Sequence, residues 1–278
     1  MRVQRHNVAT LISYSLLAIA SILALFPVFW MVSVSFRKNM DIFRSPVRWL
    51  PPHPTADAYG QILSNPEFLR ALANSYVVAL AVTSLSLTLA VLASYSFSRF
   101  EFRGHRLLQM FIIGTQMVPP IALVVPYFVL ITTLKLYDTY QGLIVTYTSF
   151  VLPFATLMLT SYFNTIPRDL EEAAMVDGCS RLGSMVKILL PNVLPGLVAT
   201  GVYAFLLAWN EFLFALVLTR SPSVRLITVA IASLMGEHAY EWNQMMSLSV
   251  FASVPLMIAF LFLQRYLISG LTVGAVKG

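Results

Sequence analysis

Apolar residues in this chain come in long unbroken blocks, not in the alternation of a half-buried strand or the one-sided stripe of a soluble helix. The stretch "LIVTYTSFVLPFATLMLTSYF" carries no charge at all. A helix needs roughly 20 apolar residues to cross a bilayer. Six blocks reach that length, at about 11–36, 72–97, 107–132, 142–163, 193–219 and 246–268. Because the runs are continuous, they exclude a closed membrane barrel, whose strands alternate. The pattern predicts an all-α polytopic membrane protein with six transmembrane helices, forming one transmembrane domain over 1–278.

The polar breaks between the blocks carry their own signals. In "RWLPPHPTADAYGQIL" three prolines, Pro51, Pro52 and Pro54, impose extended backbone. "NPEFLRALANS" reads as a helix start, with Asn65 as N-cap, Pro66 at the first helical position and Glu67 in the first turn. "VRLITVAIASLM", within 224–235, is too short to span and fits either a surface helix or a re-entrant segment. Prolines also fall inside the blocks. The pair Pro119–Pro120 must disturb the third span, and the freed carbonyls need other partners. Such a break fits a helix lining a transport cavity, or a simple packing kink.

Composition agrees with a membrane protein. The chain is 58% hydrophobic with a mean hydropathy of +0.77, and only 11% of it is charged, against about 25% in soluble domains. The net charge of +6 does not point to nucleic acid, because the basic residues are dispersed at the ends of spans. The first apolar run is too long for a cleaved leader, so it reads as a retained span, with no soluble domain expected on either side of the membrane part. An even number of spans puts both termini on one face. Ten basic residues then fall on the N-terminal side against eight on the other. The compact loop "SRFEFRGHR" favours the cytoplasm, which places both termini, the 98–106 loop and the 164–192 segment inside. Four histidines lack metal-ligand spacing, and the one cysteine, Cys179, can form neither an internal disulfide nor a paired-cysteine motif. No metal site and no catalytic constellation is expected.

One hydrophilic insert breaks the pattern: "RDLEEAAMVDGCSRLGSMVKILLP", Arg168 to Pro191, where Asp169, Glu171, Glu172 and Asp177 fall within nine residues. Pro167 can start a helix whose first turns hold the acids, as the helix dipole prefers. Ala173 and Ala174 keep one side thin. Gly178 suits a left-handed helix end. Ser180 can cap a second helix, in which Leu182, Met185, Val186 and Leu189 share one face and which Pro191 stops. The insert therefore reads as helix, glycine turn, helix. It either rests on lipid or docks a soluble partner, and its acids favour the partner because an anionic leaflet repels them. "GCSRLGS" has the glycine spacing of a phosphate-binding loop, but Ser184 stands where the lysine is required, so no nucleotide site is expected in this chain.

"EAAMVDG", nine residues and "ILLP" resemble the EAA signature of importer permeases of the ATP-binding cassette class. Glu172, Ala173, Ala174, Gly178, Ile188, Leu190 and Pro191 match each fixed position. Further stretches, including "LPPHPTADAY", "YSFSRFEFRG", "AWNEFLFAL" and "GLTVGAVKG", look like the carbohydrate-import branch, and above all its maltose-type permease subunit. The resemblance implies the type I importer permease fold in a bacterial or archaeal inner membrane. It implies that the insert, with Asp177, Leu182, Met185 and Val186 among its ATPase-coupling residues, is a coupling helix for a cytoplasmic ATPase. The implied partners are a second homologous permease, two ATPase subunits that hold ATP and Mg, an external solute-binding protein and a sugar. The tail at 269–278, with Gly274, Lys277 and Gly278, would reach between the ATPases; on residues alone it reads equally as a disordered end.

Glu211 is the one acid deep in a predicted span. With Trp209 and Asn210 it offers an aromatic face, an amide and a carboxylate, which suits a sugar path together with the break at Pro119 and Pro120; a structural glutamate bonded to a neighbouring helix fits as well. The expected function is a non-catalytic permease subunit of an ATP-driven sugar importer. Within that class a polyol or glycerol phosphate is the alternative cargo. From another class, a secondary transporter would more often carry several intramembrane charges.

Overall fold

The computed structural model describes residues 2–236 and 241–273. Helices are the regular elements of these residues, and no strand occurs among them. In chain order the helices are α1 (Arg2–Ser35), α2 (Asn39–Ile42), α3 (Asp57–Ser64), α4 (Pro66–Arg99), α5 (His105–Thr115), α6 (Pro120–Thr133), α7 (Tyr140–Phe163), α8 (Asp169–Val176), α9 (Arg181–Ser184), a π-helical turn Met185–Leu189, α10 (Leu190–Asn192), α11 (Leu194–Asn210), α12 (Leu213–Leu218), α13 (Ile227–Ala232) and α14 (Trp242–Val273). Two compact units result: 1–69 with 231–256, and 70–230 with 257–278.

Stretches within α1, α4, α7 and α14 are each long and apolar enough to cross a membrane. Two further candidates are bent pairs. Between α5 and α6 the axis turns by 99°, and between the Arg181–Asn192 segment and α11 by 79°. The first bend follows from the proline pair. Pro119 is extended (φ −60°, ψ 129°) and Pro120 opens α6. Neither ring nitrogen can donate to the carbonyl four residues earlier, so Thr115 and Gln116 lose their helical partners. The predicted span 193–219 is likewise not one helix: α11 ends at Asn210, Glu211 is extended (ψ 127°), and α12 begins at Leu213.

In the larger unit α4, α7 and α11 form the core. The buried face of α4 carries Ala71, Ser75, Ala79, Val82, Ser86, Ala90, Ser94 and Ser98. Small residues at this spacing let membrane helices approach closely, where polar side chains bond across the gap. Ser94 Oγ donates to the Thr156 carbonyl at 2.8 Å, and Ser98 Oγ to Asn164 Oδ1 at 2.7 Å. On the α11 side, a side chain at Gly196 would run into the Tyr162 ring. The cap read at the start of α4 is present: Asn65 Oδ1 accepts from Glu67 N at 2.9 Å. The first part of the 224–235 segment is packed inside, with Val224, Leu226, Ile227, Val229 and Ala230 buried, whereas Met235 at its end is exposed. Asn74 Nδ2 donates to the carbonyls of Ser223 and Arg225 at 3.0 and 2.9 Å, and Ile227 N donates to Ser75 Oγ at 2.8 Å.

Candidate functional site

The hydrophilic insert is built as two helices around a glycine turn. After α8 the Gly178 N–H reaches the Met175 carbonyl at 3.1 Å and the Cys179 N–H reaches Ala174 at 2.9 Å, with Gly178 at φ +90°. This bond pair closes a helix through one left-handed residue. Ser180 Oγ then accepts from Gly183 N at 3.1 Å and caps α9. The second helix ends at Asn192, one residue past Pro191, where the axis turns by 79° into α11. It departs from the expected geometry in that the four apolar residues do not share one buried face. Met185 and Leu189 are 4% and 0% exposed, whereas Leu182 and Val186 are 63% and 54% exposed. The stripe is wide enough for one i, i+4 pair to pack inward and the other to stay outside.

Inward, Met185 and Leu189 join Phe163 of α7 and Val193 in one apolar cluster. A second anchor is ionic. Glu171, 4% exposed, accepts from Arg99 Nε at the end of α4, and Arg99 also donates to Ser98 Oγ at 3.0 Å and to the Ile166 carbonyl at 3.1 Å. Arg168 adds a bond to the Ser98 carbonyl at 3.0 Å. Outward lie Glu172, Ala173, Asp177, Gly178, Leu182, Val186 and Pro191; Ala174 is buried, and Ile188 and Leu190 are half-buried. Glu171 and Arg99 were not legible as a pair. The i, i+3 relation of Glu171 to Ala174 marks an inner face, but no sequence pattern says what lies opposite it.

The two helix breaks meet at a cavity of about 250 Å³. Thr115, Gln116, Val118 and Pro120 come from the bend between α5 and α6, Tyr147, Phe150 and Val151 from α7, and Leu207, Ala208, Glu211 and Phe214 from the α11–α12 break. The Glu211 carboxylate accepts from the N–H groups of Phe214 and Ala215 at 2.9 and 3.1 Å, and its carbonyl accepts from Thr228 Oγ1 at 3.0 Å. Each bond to a charged group contributes on the order of 1.5–3 kcal/mol. Two of them offset the roughly 2.5–3.5 kcal/mol that a charge costs at a membrane helix centre. The Tyr147 hydroxyl is buried in the cavity's lining beside the Glu211 carboxylate. Pro119 lies at the same bend but is not among the residues that line the cavity. Trp209 turns away from it, with its ring 4.7 Å from Tyr76 and 5.6 Å from Phe205. Asn210 donates to the Leu206 carbonyl at 2.8 Å. Gly274, Lys277 and Gly278 lie outside the described residues. Among the described residues no group of His, Cys, Asp and Glu could hold a metal.

Residues 86–273 match the family model of the binding-protein-dependent transport system inner membrane component. The chain is 40% identical to the trehalose/maltose transport system permease protein MalG of Thermococcus litoralis, over 93% of each chain. It is 38% identical to the sulfoquinovosyl glycerol transport system permease protein SmoH of Agrobacterium fabrum, over 91% of this chain and 89% of that one. Among solved structures, a bacterial ABC transporter involved in the import of the acidic polysaccharide alginate has a chain of the same fold. Its TM-score is 0.79 at 22% identity, covering 94% of this chain and 97% of that one.

Proposed function

The chain belongs to the binding-protein-dependent transport system inner membrane components, and on that premise we propose that its cargo is a sugar and that its two broken helices form part of the sugar's path. It is a multi-pass permease subunit of an ABC importer. The observation that carries the proposal is the convergence of two interrupted helices on one cavity. That cavity presents a carboxylate at Glu211, an amide at Gln116 and a hydroxyl at Tyr147, beside the adjoining aromatic rings of Phe150 and Phe214. Sugars offer hydroxyl groups to the first set and apolar faces to the second. The sugar-transport names of MalG and SmoH support the same cargo class.

In this reading the chain performs no bond chemistry. ATP and Mg sit in two separate ATPase subunits, and a second homologous permease completes the path. An external solute-binding protein delivers the sugar. Both termini and the 164–192 insert face the cytoplasm. There the outer surface of α8 and α9, with Glu172, Asp177, Leu182 and Val186, meets an ATPase. The inner surface transmits the motion, through Arg99 to α4 and through the Phe163–Met185–Leu189–Val193 cluster to α7 and α11.

Reconstitution tests this. The chain, its partner permease, the ATPases and the solute-binding protein are placed in proteoliposomes, and uptake of labelled maltose and trehalose is followed. ATP-dependent accumulation that requires the solute-binding protein is expected. Uptake driven by an ion gradient without ATP overturns the proposal, as does a preference for glycerol phosphate over either sugar.

A further inference from the structure

The smaller unit carries a cationic pocket far in sequence from the coupling insert. It has a volume of about 260 Å³ and is lined by Arg37, Asp41, Arg44, Arg48, Pro52 and His53, among others. Its lining thus holds three arginines and one aspartate, and Asp41 is already paired with Arg44 at 3.0 Å. Arg37 is 3% exposed. Its Nη2 donates to Ser33 Oγ and the Trp49 carbonyl, both at 3.0 Å, and to the Arg48 carbonyl, and its charge lies 4.9 Å from the Trp30 ring. Its Nε, equally buried, has no partner. A buried donor left unpaired on a cation is costly, and an anion in the pocket would remove that cost.

The surroundings identify the anion's source. The pocket begins two residues after the membrane-crossing stretch Thr10–Ser35, of which only 11% is buried in the protein, so α1 presents an apolar surface of the kind that faces lipid. That surface continues onto the loop, where Met40, Phe43, Val47, Trp49 and Leu50 are 60–81% exposed. Trp30 and Trp49 meet edge to face at 6.0 Å, and tryptophans favour the headgroup level of a bilayer. Apolar side chains set to enter lipid beside a cluster of arginines place those arginines at phosphate depth. We propose that this pocket binds the phosphate of an anionic phospholipid and so anchors the 37–53 loop to the membrane surface.

The test uses the assembled importer in detergent with the variant Arg44→Gln/Arg48→Gln. Both side chains are exposed, so the variant spares the buried Arg37 network, and intact assembly on size exclusion checks folding. Native mass spectrometry counts retained phosphatidylglycerol against phosphatidylcholine. The wild-type complex should retain phosphatidylglycerol at least about 10-fold better, and the variant should lose most of that preference. In nanodiscs, quenching of tryptophan fluorescence by brominated phosphatidylglycerol should fall in the variant. Equal retention by wild type and variant overturns the site. Competition by millimolar inorganic phosphate as effective as that by the lipid shows a free-anion pocket and overturns the lipid source. Weakened capture of the solute-binding protein with unchanged lipid retention assigns the arginines to an acidic protein surface, and that too overturns the proposal.

Discussion

Arg99, at the end of α4, and Glu171, on the inner face of α8, form an ion pair across 72 residues of chain, with side chains 9% and 6% exposed. Removing one partner of such a pair leaves a buried charge, at a cost of about 3–5 kcal/mol. We expect Glu171→Ala to loosen the 164–192 insert and to speed its cleavage in limited proteolysis by at least about 100-fold. The double variant Arg99→Met/Glu171→Leu should recover most of the protection. If the single variant is as resistant as wild type, the pair does not hold the insert.

Glu172 is the next residue, but it points outward. Glu172→Lys should leave the proteolysis pattern unchanged and weaken ATPase capture at least 10-fold, about 1.4 kcal/mol, because reversal turns attraction into repulsion at a partly desolvated contact. Titration of the permease complex with purified ATPase measures this. Unchanged affinity would remove Glu172 from the contact.

Gly178 holds φ +90° with open space where a side chain would go. Alanine there meets no clash, so its cost is backbone strain alone, about 1 kcal/mol. Proline also removes the N–H bonded to Met175 and demands φ near −65°. Sugar-stimulated ATP hydrolysis should therefore fall modestly in Gly178→Ala and be abolished in Gly178→Pro, with both complexes still extractable and monodisperse. Equal activity of the two variants would mean that the turn geometry does not matter for coupling.

Glu211 both caps α12 and lines the cavity. Glutamine keeps one acceptor oxygen, whereas alanine keeps none. Loss of a cap costs about 0.5–2 kcal/mol. The melting temperature of the complex should thus fall in the order wild type, Glu211→Gln, Glu211→Ala. Uptake should be impaired in both variants if the charge serves the sugar, and only in the alanine variant if capping is its whole role.

Asp138 sits in the left-handed region at φ +60° between α6 and α7. Burial opposes its ionisation. That effect is outweighed by the Arg220 N–H at 2.8 Å, the Ser221 hydroxyl, the Ser221 N–H at 3.1 Å and the Arg220 charge, which together hold its carboxyl below the ordinary 3.8. A carboxylate depressed in the folded state stabilises it above its unfolded pKa and ceases to do so as pH falls through the folded value. Protection of the 218–223 segment from hydrogen exchange should be constant above about pH 4 and fall below it. Asparagine tolerates the same backbone, so Asp138→Asn should flatten the dependence. A flat profile in the wild type would count against the Asp138 clamp.

Much of this protein follows from local pattern. Continuous apolar blocks require helices, because a lipid-facing backbone must satisfy itself within one segment. Pro119–Pro120 forces a break because two successive N–H donors are absent, and Gly178 and Ser180 shape the insert through bonds to residues within five positions. Each of these depends on neighbours in sequence, so the residues themselves declare it. What the sequence could not reveal depends on partners far away in the chain. Glu171 and Glu172 are alike as letters, and only Arg99, brought alongside by the packing of α4, makes one an inner anchor and leaves the other outside. Trp209 and Glu211 stand two apart in one motif, yet the break after Asn210 sends the ring to Tyr76 and the carboxylate to the cavity. Which of two equivalent side chains is buried is decided by what lies opposite it, and that exists only once the helices have packed.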